Sequence, residues 1–303
     1  MNQFAQQLLN GVTLGCIYGL LALSYTLIFG VLRAINFAIG EAMMFGVFAA
    51  IWAVRYAAYI GLPTDPGWLI FSIALGASTA ASLLFSLLTE LIAFRPLTRH
   101  RDTPILLALI SSLGVSIFAQ NLVLNFVDSG NIIFPVVVRT SVVEFAGARL
   151  TGVHILIMVG SLALVTAVSY IVYQTNLGCK IRAVRDNRDL ATEYGTNSRQ
   201  VIVMTFALSG VLAGFAGLSI GMYYGVARYN MGFTPGIKAF SAAILGGIGD
   251  VPGGVVGGIM IGLIETFGAG YISAAYKDVL VFSVLIFVLL FRPRGILDRG
   301  VQK

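Results

Sequence analysis

Very few side chains in this sequence suit covalent chemistry. Its histidines are His100 and His154, far apart in the chain, and its two cysteines are Cys16 and Cys179. Neither pair has metal-ligand spacing. No Ser, His and Asp or Cys grouping stands at a recognisable catalytic spacing. No G-x-x-x-x-G-K-[ST] phosphate loop occurs, so the chain is not expected to hydrolyse ATP by itself. What remains are isolated polar groups in apolar surroundings. Asn36 and Glu41 stand between two apolar runs, and Glu90 and Glu265 are further carboxylates in apolar segments. A carboxylate at membrane depth is expensive and faces a cavity or a partner. On that reading Asn36 and Glu41 belong to a broken helix beside a translocation path. On the plainer one Asn36 is a cap and Glu41 sits in a first helical turn at an interface, favoured by the helix dipole. Both stay open. Glu90, near Arg95, reads as a local ion partner, and Glu265, between Gly262 and Gly268, as a group that pairs inside the bundle.

Those groups need a scaffold, and composition says which kind. Hydrophobic residues make up 58% of the 303-residue chain and charged ones 11%, against about 25% charged in a soluble domain. Residues 8–31, 105–127 and 153–173 contain no charge, and each exceeds the roughly 20 residues that cross a bilayer. Apolar segments fall near 6–31, 38–60, 68–94, 103–127, 152–173, 201–225, 237–248, 253–272 and 277–291. Pro63, Asp65 and Pro66 mark one turn, and Asp128, Ser129 and Gly130 open a polar loop. The predicted fold is an all-α, polytopic transmembrane bundle of about eight membrane helices, some discontinuous, forming one domain over 1–303. Residues 1–7 carry no Lys or Arg, which favours a retained first helix over a cleaved signal.

Positive charge sets the orientation, because Lys and Arg stay on the cytoplasmic side. Three clusters hold most of it: Arg95, Arg99 and Arg101; Lys180, Arg182, Arg185, Arg188 and Arg199; and Arg292, Arg294, Arg299 and Lys303. Placing all three inside demands an even number of crossings between neighbouring clusters. Two segments separate the first pair. Four separate the second, which works if all cross or if two are half-helices. Three precede Arg95, which puts the uncharged N-terminus outside.

Glycines repeat at three- and four-residue steps, as Gly210, Gly214, Gly217, Gly221 and Gly225, and as Gly254, Gly258 and Gly262. Such stripes let helix backbones approach closely in lipid. Gly246, Gly247 and Gly249, with Pro252 and Gly253, instead interrupt an apolar region, the pattern of a broken helix. The stretch Gly30-Val-Leu-Arg33 leading to Asn36 is echoed by Gly225-Val-Ala-Arg228 leading to Asn230. Residues 174–200 are too patterned for a simple turn. Ile181, Val184, Leu190, Ala191 and Tyr194 recur near helical spacing among charges, as in short amphipathic helices outside the bilayer, with Gly195 as a stop. A basic loop drawn to anionic lipid is the alternative; the apolar face argues for a protein partner.

Several motifs together resemble the integral membrane permease of bacterial high-affinity branched-chain amino acid ABC transporters. They are Asn10-Gly11-Val-Thr-Leu-Gly15 through Tyr18, the segment from Ile35 to Glu41, Gly178-x-Lys180-x-Arg182-Ala183 and Ala191-x-x-x-Gly195. Further on come Phe206-Ala-Leu-Ser-Gly210 through Gly217, Leu245-Gly-Gly-Ile-Gly249 through Gly254, and Phe291-Arg-Pro-Arg-Gly295-Ile-Leu297. They run in order over nearly the whole chain. One departure is Ile39, where the family often has His.

The resemblance implies a multi-pass subunit of the bacterial inner membrane, importing branched-chain amino acids and driven by separate subunits. Its implied partners are a second, related permease, two cytoplasmic ATPase subunits and a periplasmic substrate-binding protein, with no nucleic acid. It makes the loop around Lys180, Arg182, Arg185, Ala191 and Gly195 the coupling element. Asn36, Glu41, Gly246, Gly247, Gly249 and Glu265 are the candidate translocation-path or helix-break residues. No cofactor and no metal are expected. Related importers for urea, short amides or other amino acids share this scaffold. An ion-coupled secondary transporter would call for more membrane carboxylates than this sequence offers.

Overall fold

The structure, a computed structural model, describes residues 3–62, 67–98, 105–127, 130–137, 142–145, 148–292 and 295–296. Pro63, Asp65, Pro66, Arg99, His100, Arg101, Asp128, Ser129, Arg294, Leu297, Arg299 and Lys303 therefore lie outside the described residues.

Helices α1 (Gln3–Leu32), α2 (Ile39–Tyr59) and α3 (Gly67–Thr89) come first, and α3 runs through a π-helical turn (Glu90–Phe94) into α4 (Arg95–Thr98). Next are α5 (Ile105–Val127), the short strands β1 (Ile132–Ile133), β2 (Val142–Phe145) and β3 (Ala148–Thr151), and α6 (Gly152–Gln174). The small helices α7 (Asn176–Asp186) and α8 (Arg188–Glu193) lead into α9 (Ser198–Tyr224). The chain closes with β4 (Val226–Ala227), α10 (Phe233–Gly246), α11 (Val251–Tyr271), a 3-10 turn (Ala274–Tyr276) and α12 (Lys277–Phe291). Among the described residues, eight helical stretches are long and apolar enough to cross a bilayer.

Contacts fix which end of each helix lies where. On one side, Gln6 Oε1 of α1 accepts from the Arg149 amide at 2.8 Å and Gln3 Nε2 donates to the Gly270 carbonyl at 3.2 Å. On the other, Arg33 at the end of α1 donates to the Arg185 carbonyl at 3.4 Å. The second basic cluster sits on that side, which positive charge makes cytoplasmic. Helix α10, with 14 residues, is about 21 Å long and too short to span. It begins in the interior against Gly40 of α2 and ends beside Gly249 and Arg185 at the cytoplasmic side. The outer part of that crossing is the irregular stretch 225–232, whose Gly225 carbonyl is bonded by the Phe134 amide at 3.0 Å. Segment 225–246 thus lies beyond the eight stretches and packs within the same bundle.

The bundle core is made by small residues. A methyl group on Gly15 of α1 would lie 2.6 Å from the Ile259 Cα of α11, and one on Gly214 of α9 would lie 2.6 Å from the Thr79 Cα of α3. Ser78, Ser82 and Ser86 form a stripe on α3 and donate to the carbonyls of Gly214, Ala42 and Phe206, each at 2.7 Å. Such hydrogen bonds and backbone contacts hold helices together where lipid provides no hydrophobic drive. The pairs α1–α11 and α3–α9 are the most extensive in the bundle. The pairings correspond: α1 packs on α11 and α10 as α9 packs on α3 and α2, and α1 and α9 start on opposite sides of the bundle. Gly15, Gly19, Gly30, Val31 and Arg33 stand at the same spacing as Gly210, Gly214, Gly225, Val226 and Arg228. The two halves form an inverted repeat.

Candidate functional site

Three polar places stand out, and the first is the cytoplasmic elbow α7–α8. Thr175 Oγ1 caps α7 by accepting from the Gly178 amide at 3.3 Å, and Asn187 Oδ1 caps α8 by accepting from the amides of Asp189 and Leu190 at 3.0 and 3.1 Å. Helix α8 ends in a Schellman turn: the Thr196 amide bonds the Ala191 carbonyl at 2.9 Å and the Gly195 amide bonds Thr192 at 3.0 Å. Gly195 holds φ at 81°, a left-handed conformation suited to glycine. The elbow is tied to the bundle by arginines. Arg182 bonds the Val172 carbonyl at the end of α6, and Arg185 Nη1 bonds the Gly249 carbonyl at 2.7 Å. Lys180 and Cys179 lie exposed on α7.

The apolar face predicted for this elbow divides in two. Ile181, Val184 and Ala191 are buried against the chain's own bundle, while Leu190 is 50% exposed and Tyr194 87% exposed. The surface left for a partner is therefore the Leu190–Tyr194 side, and Ala191 faces inward.

The second place is where the two broken segments meet. The chain is non-helical at 33–38 and at 225–232, and α2 and α10 start against each other through Gly40, Gly232 and Gly236. Asn36 Oδ1 accepts from the Ala38 amide at 3.0 Å, so it serves the start of α2 locally. Glu41 is fully buried. Its Oε1 accepts from Ser116 Oγ at 3.0 Å and from Gln120 Nε2 at 2.8 Å, both on α5. Its Oε2 lacks a hydrogen-bond partner among the described residues, as does the buried hydroxyl of Tyr25. A methyl group on Gly232 would come within 2.6 Å of that oxygen. Two helix N-termini, each a positive dipole end, thus face each other across a buried carboxylate. Gly246, Gly247 and Gly249 lie elsewhere: they make the tight cytoplasmic turn between α10 and α11, with φ of 106° at Gly247 and 98° at Gly249. That turn also receives the Ile296 amide on the Leu245 carbonyl at 2.9 Å.

The third place surrounds Glu265. Lys238 of α10 brings its ammonium 2.7 Å from Glu265 Oε1 and 2.6 Å from Asp278 Oδ1 of α12. Tyr18 of α1 donates to Glu265 Oε2 at 2.8 Å, and Lys277 lies 3.5 Å from Oε1. The Lys238 and Glu265 side chains are each 3% exposed. Charges this deep persist only when paired. The sequence reading placed Glu265 in a pair but missed Lys238, although a single Lys in the apolar run 233–247 is the same kind of signal. Glu90, in the π-helical turn, feels the charges of Arg95 and Arg199, as its position near the basic cluster suggested. Among the described residues no group of His, Cys, Asp and Glu could hold a metal ion.

A multi-pass helical bundle with two broken segments that meet in its interior is the architecture of a membrane transport protein. Residues 7–289 match the family described as "Branched-chain amino acid transport system / permease component", and the chain belongs to that family. It is 39% identical over 301 residues to the high-affinity branched-chain amino acid transport system permease protein BraD of Pseudomonas aeruginosa, covering 98% of this chain and 96% of that protein. It is 36% identical over 300 residues to the corresponding permease LivH of Escherichia coli, with the same coverage. A probable branched-chain amino acid permease of Methanocaldococcus jannaschii is 26% identical over 307 residues, covering 91% of this chain and 87% of that protein.

Proposed function

We propose that this chain is the membrane-spanning permease subunit of a bacterial inner-membrane ABC importer for branched-chain amino acids. Its partners are a second, related permease, two cytoplasmic ATPase subunits and a periplasmic binding protein that delivers the substrate. The observation that carries the substrate class is 39% identity along essentially the whole length of a permease named for it.

The elbow carries the coupling. ATP binding draws the ATPases together, and α8, gripped through Leu190 and Tyr194, moves with them. Arg182 and Arg185 pass that motion to α6 and to the α10–α11 turn, so the displacement reaches α10 rather than being lost in a loose loop. Helix α10 then shifts against α2 where Gly40, Gly232 and Glu41 meet, and the bundle exchanges inward- for outward-facing access. In this scheme Gly246, Gly247 and Gly249 form the joint through which α10 is moved, and Asn36 and Glu41 stand beside the path.

The test is reconstitution of the chain with its partner subunits and binding protein in proteoliposomes. ATP-dependent uptake of labelled leucine, with no uptake of urea, is expected. Uphill uptake by the chain alone on a sodium or proton gradient would overturn the reading.

A further inference from the structure

The Glu265 cluster does more than close on itself, because it forms one wall of a cavity. The cavity measures about 200 Å³ and lies where the outer end of α9, the start of α10 and the start of α12 meet Tyr18 of α1. Its charged wall carries both signs. Lys277 and Asp278 are 36% and 44% exposed at their side chains, and Arg228 and Lys238 stand with them. Its lining also includes the apolar side chains of Ile220, Val226 and Met231. Thr234, at the N-terminal end of α10, also lines it and is exposed. A much larger cleft of about 990 Å³ between α3, α6 and α9 is lined almost wholly by apolar groups and offers no charged side chain.

We propose that the outer cavity is a way-station that holds a zwitterionic aliphatic α-amino acid on its route inward. The cations of Lys277 and Arg228 receive the carboxylate, the Asp278 carboxylate receives the ammonium, and Ile220, Val226 and Met231 receive the side chain. Charges of both signs and apolar side chains lining one cavity match such a solute group by group. A neutral amide such as urea would offer no partner of either sign to Lys277 or Asp278 and would leave the apolar lining unfilled. Lys238, held by Glu265 and Asp278, keeps the charged wall in place, and because it belongs to α10 it links occupancy of the cavity to the half-helix. This assignment rests on the branched-chain amino acid reading given above.

The assembled transporter in nanodiscs, carrying Thr234→Cys with Cys16→Ser and Cys179→Ser, is treated with a maleimide. Millimolar L-leucine should slow labelling about fivefold, the protection expected at about four times the dissociation constant. 4-Methylpentanoate and 3-methylbutylamine, each lacking one of the two charges, should protect little. In proteoliposomes, Met231→Trp, which fills the cavity, should lower leucine uptake about tenfold, as expected for loss of roughly a side chain's worth of binding, while the complex still assembles and hydrolyses ATP. Three results would overturn the site: leucine uptake by the unmodified transporter with labelling unaffected by leucine, equal protection by the singly charged analogues, or normal uptake by Met231→Trp. Failure of the unmodified transporter to take up leucine at all would overturn the substrate class and the site together.

Discussion

Arg185 Nη1 donates to the carbonyl of Gly249 at 2.7 Å and so fastens the cytoplasmic elbow to the turn between α10 and α11. The same residue's carbonyl accepts from Arg33 at the end of α1 at 3.4 Å. One arginine therefore touches the inner ends of both halves of the inverted repeat. Hydrogen bonds of charged groups contribute about 1.5–3 kcal/mol. Arg185→Ala is expected to lower ATP-driven uptake about tenfold or more while ATP hydrolysis by the complex continues. Paired measurements of uptake and phosphate release in proteoliposomes check it, and unchanged coupling would refute it.

The division of the elbow's apolar face predicts different failures for neighbouring residues. Tyr194→Ala removes an exposed aromatic, the kind of group that anchors interfaces, and should weaken retention of the ATPase subunits during purification. Ala191→Glu places a charge where the side chain is 5% exposed against the bundle, so it should lower the yield of folded protein instead. Pull-down of the ATPases, set against protein yield, distinguishes them. Tyr194→Ala that retains its partners fully would contradict the assignment.

Gly195 sits at a φ of 81°, where a side chain costs roughly 1–2 kcal/mol. Gly195→Asp is expected to loosen the Schellman turn and reduce uptake with little effect on the melting temperature of the membrane bundle. Normal uptake would show that the turn's shape is not needed.

Glu41→Ala strips partners from Ser116 and Gln120 in a buried setting and should destabilise the protein by about 1–3 kcal/mol. Glu41→Gln, which keeps the size and one acceptor, should be milder. Gly232→Val is expected to block the approach of α10 to α2 and abolish uptake. Melting of the purified protein in detergent reads the first two effects, and uptake reads the third.

Lys238→Met leaves Glu265 buried without its nearest cation, and truncating one member of a buried pair costs about 3–5 kcal/mol. Adding Glu265→Gln should recover much of that loss. A double variant no more stable than Lys238→Met alone would show that the pair is not the source of the effect.

Much of the fold was legible because its determinants are local. Charge-free runs marked the long helices, and the basic clusters asked for an even number of crossings after Arg199. Only tertiary contact could show that α10 is a half-helix whose missing outer part is the stretch 225–232. The short likeness between Gly30–Arg33 and Gly225–Arg228 pointed to paired breaks, and the chain is non-helical at 33–38 and at 225–232, but the meeting of Gly40 with Gly232 depends on helices far apart in sequence. The elbow helices and the Gly195 stop were visible from spacing. Which of their apolar residues face inward was not, because the period of α8 alone does not say where the bundle lies. The role of Lys238 was not legible for a different reason: the carboxylate it neutralises, Glu265, sits on another helix.

Cys179 is exposed on α7, three residues before Arg182 and six before Arg185. The other thiol, on Cys16, lies half-covered within α1. The native sequence thus supplies a reporter handle on the element assigned to carry force. A spin label or fluorophore on that sulfur would travel with the lever, so each nucleotide-dependent stroke could be timed without adding a new attachment residue.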